Sequence, residues 1–158
     1  MEKEVLLEEM KKFAIENHVP ILQDISLDLI NLILKLKRPN KILEIGTAIG
    51  YSAINFSYFL DGENAEILTI EKSEEMYKEA IKNVDKADLN KVIKIINADA
   101  VEYLETLDEN KDKYDIIFID AAKGQYLVFL ENALRLINKG GIIIADNVYF
   151  KGRVLSRL

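Results

Sequence analysis

Five short apolar runs recur at a nearly regular interval: KILEI (41–45), EILTI (66–70), KVIKII (91–96), DIIFI (115–119) and GIIIA (141–145). Each is too short for a typical helix and too continuously apolar for a strand with one wet face. Each therefore reads as a strand buried on both sides. Helical stretches separate them, at about 50–60, 73–87, 99–107 and 123–138. Strand alternating with helix is the pattern of a parallel sheet with helices on both faces, because a parallel crossover needs a connection long enough to hold a helix. The expected class is α/β, with one βα core over 41–158.

The first forty residues do not share this rhythm. Val5, Leu6, Met10 and Phe13 recur at helical spacing within 2–16. Asn17-His18-Val19-Pro20 interrupts them, and a second Leu- and Ile-rich helix is expected from Asp24 to about Lys37. Residues 1–40 thus read as a helical extension of a single domain. The whole chain, 158 residues, has the usual size of one.

Composition removes several chemistries. There is no Cys, which excludes disulfides, thiolate metal sites and a thiol nucleophile. The single histidine, His18, argues against a His-based triad or a multi-His metal centre. No apolar run approaches the ~20 residues of a membrane helix, and the charged start resembles no signal peptide, so a cytoplasmic protein with no membrane partner is expected. The net charge of −6 argues against a broadly basic nucleic-acid coat. It is unevenly spread: residues 61–113 carry 15 acids against 8 bases, and 123–158 carry 6 bases against 2 acids.

In a parallel sheet, ligands bind beyond the carboxyl ends of the strands. Nearly every run here ends in an acid, and that clustering is the most informative feature. EIGTAIG (44–50) follows the first run. Gly46 and Gly50 suit a tight turn and close packing, but Ala48 breaks the G-x-G-x-x-G of dinucleotide-binding proteins. Glu44 suits a cationic ligand better than a pyrophosphate. Glu71 stands where an acid commonly holds both ribose hydroxyls of an adenosine, or is a solvated residue before the helix cap Ser73. Asp99 reads both as a helix cap, with Glu102 completing a capping box, and as an acceptor for an adenine amine. Asp120, Asp146 and Asn147 would converge if the fourth and fifth strands are neighbours. Oxygen ligands of this kind suit Mg²⁺ or another hard divalent cation; the alternative is that the two acids cap the helices that follow. Lys123 would lie near the same point, as a base or as a salt-bridge partner of Asp120.

Together these residues resemble the class I S-adenosylmethionine-dependent methyltransferases, and within them the metal-dependent O-methyltransferases of the catechol and caffeoyl-CoA type. The resemblance rests on ILEIGTAIGYSAI (42–54), ILTIEKS (67–73), NADA (97–100), YDIIFIDAAKGQY (114–126) and GGIIIADNVYFKGRV (140–154). It implies a Rossmann-like, doubly wound sheet. It places Glu44, Gly46, Gly50 and Ser52 around the methionine end of S-adenosyl-L-methionine, with Ser52 on its carboxylate. Glu71 would hold the ribose, and Asp99 and Ala100 would meet the adenine. Val19 would belong to a segment closing over the methyl site. Asp120, Asp146 and Asn147 would be the metal ligands, Asp120 also lying near the cofactor, and Lys123 would be the base. The acceptor implied is a small catechol or phenol. A 5-hydroxyuridine in tRNA is the alternative, for which Lys123, Arg135, Lys139, Lys151, Arg153 and Arg157 would supply phosphate contacts.

The family carries a further strand pair after DNV, which this sequence lacks. The expected sheet therefore has five strands and an open edge at GIIIA, which points to a homo-oligomer, most simply a dimer. Two rivals stand beside this reading. One is a nucleotide-dependent oxidoreductase, which the missing G-x-G-x-x-G opposes. The other is an inactive cofactor-binding remnant or assembly module.

Overall fold

A computed structural model describes residues 3–120 and 123–146. Two helices come first, α1 (Lys3–Glu16) and α2 (Asp24–Lys37). The alternating core follows: β1 (Lys41–Ile45), α3 (Tyr51–Ser57), β2 (Glu66–Glu71), α4 (Glu74–Lys86), β3 (Ile93–Asn97), α5 (Ala100–Glu105), β4 (Tyr114–Ile119), a 3₁₀ turn (Lys123–Gln125), α6 (Tyr126–Leu136) and β5 (Ile137–Ala145). All pairings are parallel, and the strand order is β3-β2-β1-β4-β5. The chain starts in the middle of the sheet, runs to one edge, then crosses back to build the other half. The crevice for a ligand in such a sheet lies where the order reverses, between β1 and β4.

Alternation along each strand builds two cores. Ile42, Ile67, Ile93, Ile116 and Phe118 face α1 to α4, together with Leu6, Met10, Leu34, Ile54 and Phe56. Leu43, Ile45, Leu68, Ile70 and Ile117 face α5 and α6, against Leu104, Phe129 and Leu136. Because both faces are covered, the strands need no polar alternate residues, which is why their sequences are apolar throughout. Phe56 and Phe118 meet edge to face at 5.3 Å between ring centres, the geometry that places a ring's positive edge on its neighbour's negative face. The N-terminal extension belongs to the first core: Leu6, Met10, Leu27, Ile30 and Leu34 are all buried in it.

Five strands and their parallel order match the sequence-based expectation, and several boundaries shift. β5 begins at Ile137, four residues before the GIIIA run, and follows α6 directly. The Asn138-Lys139-Gly140-Gly141 stretch looks like a turn locally. It is pulled into the sheet because Ile137 pairs with Tyr114, Asn138 donates to Asp115, and Lys37 donates to the carbonyl of Gly140. The helix expected over 123–138 is a 3₁₀ turn followed by α6, ending at Leu136. α3 stops at Ser57, and β3 begins at Ile93.

Candidate functional site

The residue after each strand prolongs the ladder by one hydrogen bond. Ala98 N donates to Glu71 O, Gly46 N to Ile70 O, Asp120 N to Ile45 O, and Asp146 N to Ile119 O. This continuity lines up the starts of four loops along the carboxyl edge of the sheet. The acids spread through the sequence are thereby brought to one place.

The first of these loops, between β1 and α3, has three residues in the left-handed region: Gly46 at φ 100°, Ala48 at 46° and Gly50 at 84°. Glycine adopts this region without penalty; alanine does so at a cost. The Ala48 conformation is held by Glu71, whose Oε2 accepts from Ala48 N at 2.8 Å. The other oxygen of Glu71 accepts from Ser73 N at 2.7 Å. Ser73 in turn caps α4 by accepting from Met76 N. Glu71 is thus the joint between the Gly46–Gly50 turn and the start of α4. At Gly50, an added Cβ would lie 3.5 Å from that of Ala80, so α3 and α4 pack closely there.

Behind this turn lies a buried polar chain. Glu44 is completely enclosed on the same face of β1 as Ile42. Ser52 Oγ donates to one carboxylate oxygen and Thr69 Oγ1 to the other, the latter at 2.5 Å. Thr47 Oγ1 is 2.6 Å from Thr69 Oγ1. Since the Thr69 proton is committed to Glu44, the Thr47 hydroxyl is the donor of that pair. Burial raises the Glu44 carboxyl to about 8, with Asp120 and Glu71 adding repulsion and the two hydroxyl donors opposing it. Ser52, expected to meet a ligand carboxylate, turns its hydroxyl to Glu44. Thr47 and Thr69 were not anticipated; the signal was a threonine inside the apolar EILTIE strand.

In front of the turn a cavity of about 250 Å³ opens, with Gly46, Glu71, Lys72, Asp99, Asp120 and Phe129 among its walls. Asp99 does cap α5, with Oδ1 accepting from Val101 N and Glu102 N. Its second oxygen accepts from Lys72 Nζ at 2.8 Å. The lysine, first among the causes, holds the Asp99 carboxyl below its usual range. An incoming amine therefore competes with Lys72 for that oxygen, a pairing across two loops that no local motif announces. Ala100 also lines the cavity, whereas Val19 packs beside the first core and is not in the cavity wall.

Asp120 and Asp146 stand one residue beyond the paired ends Ile119 and Ala145 of neighbouring strands. The juxtaposition expected from the sequence is therefore present. Neither caps α6, whose N-cap is Gln125. Tyr126 sits beside them, its hydroxyl donating to the carbonyl of Asp146. Burial first, then the carboxylates of Asp120 and Asp146, push its phenol up. Among the described residues no three acidic or histidine side chains gather as a metal cluster. Asn147, the expected third ligand, lies outside the described residues, as do Lys151, Arg153 and Arg157, and the Lys123 side chain is likewise not described. Arg135 is tied to α5, donating to the carbonyls of Leu104 and Leu107.

Comparison with known proteins places these features in context. A family model described as O-methyltransferase matches residues 1–157. A catechol O-methyltransferase from Niastella koreensis is 37% identical over 128 residues, which make up 80% of this chain and 58% of that protein. The crystal structure of an O-methyltransferase from Bacillus cereus in complex with SAH superposes with a TM-score of 0.86 at 31% identity, covering 96% of this chain and 70% of the other. That of the O-methyltransferase TomG from Streptomyces achromogenes, in complex with SAM, gives 0.87 at 26% identity, covering 96% and 69%. The chain spans less than two thirds of the length of the first curated relatives it matches.

Proposed function

The chain belongs to the O-methyltransferase family, and on that premise we propose that it moves the methyl group of S-adenosylmethionine to a hydroxyl of a small catechol- or phenol-type acceptor. The observation that carries this reading is the cavity between the ends of β1 and β4, walled by Glu71, Asp99 and Asp120 with Glu44 behind it. A row of acids in a partly enclosed site favours a ligand that is cationic at one end and rich in hydroxyl and amine donors at the other. A sulfonium nucleoside is such a ligand.

Glu71 has both oxygens engaged by backbone N–H groups, each leaving a lone pair for a ribose hydroxyl. Asp99 accepts the adenine amine in place of Lys72. The Glu44 carboxylate, oriented by Ser52 and Thr69, supplies negative potential beneath the Gly46–Gly50 turn, where the methionine end lies. A cation there favours the ionised form of Glu44, so binding near neutral pH releases a proton.

The donor set at Asp120 and Asp146, two carboxylates in register on adjacent strands, fits a hard divalent cation, with Asn147 as a third ligand. Such an ion would supply a field that favours ionisation of the acceptor hydroxyl. Lys123 is the group placed in the sequence to take that proton at Nζ. The acceptor oxygen then forms its bond to the methyl carbon as the carbon–sulfur bond breaks, leaving a neutral thioether. The protein's main contribution is to hold oxygen, carbon and sulfur in line.

The test is transfer of labelled methyl from S-adenosylmethionine to 3,4-dihydroxybenzoate, with Mg²⁺ or with EDTA. The expected result is transfer with Mg²⁺ that EDTA removes, and a loss of at least about tenfold in Asp146→Asn. Equal transfer in EDTA would overturn the metal assignment. Cofactor binding without transfer to any hydroxyl acceptor would favour the remnant reading.

A further inference from the structure

Helix α2 is apolar on two opposite sides. Leu27, Ile30 and Leu34 are buried in the first core. On the far side Ile25, Leu29, Leu32 and Leu36 are 86%, 60%, 55% and 78% exposed. A surface helix normally shows one apolar stripe and one polar face. Single exposed apolar residues need no explanation, but four in one row along one helix do.

The spacing of the row says what fits it. Steps of four, three and four residues are the d-a-d-a pattern of a coiled-coil seam, which takes another helix of the same pattern as its partner. Asp28 and Lys35 lie seven residues apart, so both flank the seam on the same side, at the g position. Both are exposed, and among the described residues neither forms an ion pair within the chain. In an antiparallel pair, g faces g of the other helix, so Asp28 meets the Lys35 of a second copy twice, once on each side of the two-fold axis. In a parallel pair, g faces e, occupied here by Ser26 and Ile33, and the charges gain nothing.

We propose that α2 is a self-association surface, pairing antiparallel with α2 of a second copy of this chain across a two-fold axis. The seam is short. A helix of 14 residues is about 21 Å long, which is small for a permanent interface. The dimer is therefore weak and reversible, with a dissociation constant on the order of 10 µM. This assignment is independent of the catalytic reading, since α2 contributes no residue to the cavity at the strand ends.

Sedimentation velocity on the full chain over about 1–500 µM tests it. The expected result is a concentration-dependent monomer–dimer equilibrium that Leu32→Asp abolishes. Asp28→Lys sets a second cation against Lys35 on both sides of the axis, and weakens the dimer by about tenfold. The double change Asp28→Lys with Lys35→Asp restores it to near the starting value. That rescue is specific to pairing between copies, because residues seven apart on one helix are beyond each other's reach. All changes are on the surface, and far-ultraviolet circular dichroism checks that each variant is folded. A monomer at 500 µM would overturn the proposal, as would a dimer indifferent to Leu32→Asp. A single swap that leaves the constant unchanged, or a double swap that fails to restore it, would overturn the antiparallel arrangement.

Discussion

At the scale of single residues the molecule concentrates its unusual chemistry on Glu44. A carboxyl held at about 8 binds a proton in the folded state that the unfolded chain, at about 4.5, has already released. Between these values the unfolded state binds fewer protons, so stability falls as pH rises, by up to ~1.4 kcal/mol per pH unit. The stabilisation is complete below about pH 4.5 and is lost as pH passes through about 8. Urea denaturation of the unliganded protein at a series of pH values measures this. Glu44→Gln, which keeps a polar partner for Ser52 and Thr69, is expected to flatten the decline between about pH 5 and 8 relative to the parent. An unchanged pH dependence in that variant would show that Glu44 stays ionised. The importance of an acid at the end of the first strand was legible from the sequence. Its enclosure by Ser52, Thr69 and Thr47 was not, because those hydroxyls come from three separate segments that only the folded sheet brings together.

At the scale of elements, what the sequence revealed and what it hid have one physical cause. Strands buried on both faces leave an unmistakable apolar run, so all five were visible, and their parallel order followed from the helices between them. Boundaries depend on tertiary pairing. Asn138 to Gly141 carry turn-forming residues, and their strand geometry comes from β4 and from Asp115, which accepts from Asn138, Asn40 and Lys41 at once. The caps at Ser73 and Asp99 were legible because a cap is a local pattern. The Lys72–Asp99 pair, 27 residues apart in sequence, was not. Packing within the elements is tight. Phe118 is fully buried against the Phe56 ring, so Phe118→Ala should cost about 3–5 kcal/mol. A shift in the urea midpoint worth less than about 1 kcal/mol would mean that the first core collapses readily around the lost ring.

For the whole molecule, a sheet that turns back on itself between β1 and β4 makes one crevice, and the loops in register along its carboxyl edge fill that crevice with acids. The two ends of the expected site are described unequally: the nucleoside side rests on placed side chains, and the metal side rests on Asp120 and Asp146 with Asn147 and Lys123 carried from the sequence alone. The central claim is therefore tested most directly at Glu71, which joins the glycine turn, the start of α4 and the cavity. Isothermal titration calorimetry of the full chain with S-adenosylmethionine, in two buffers of different ionisation enthalpy, reads both affinity and proton release. The account predicts binding with proton release near pH 7, weakened at least about tenfold in Glu71→Ala. A folded protein that binds no S-adenosylmethionine, or binds it equally well without the Glu71 carboxylate, would contradict it.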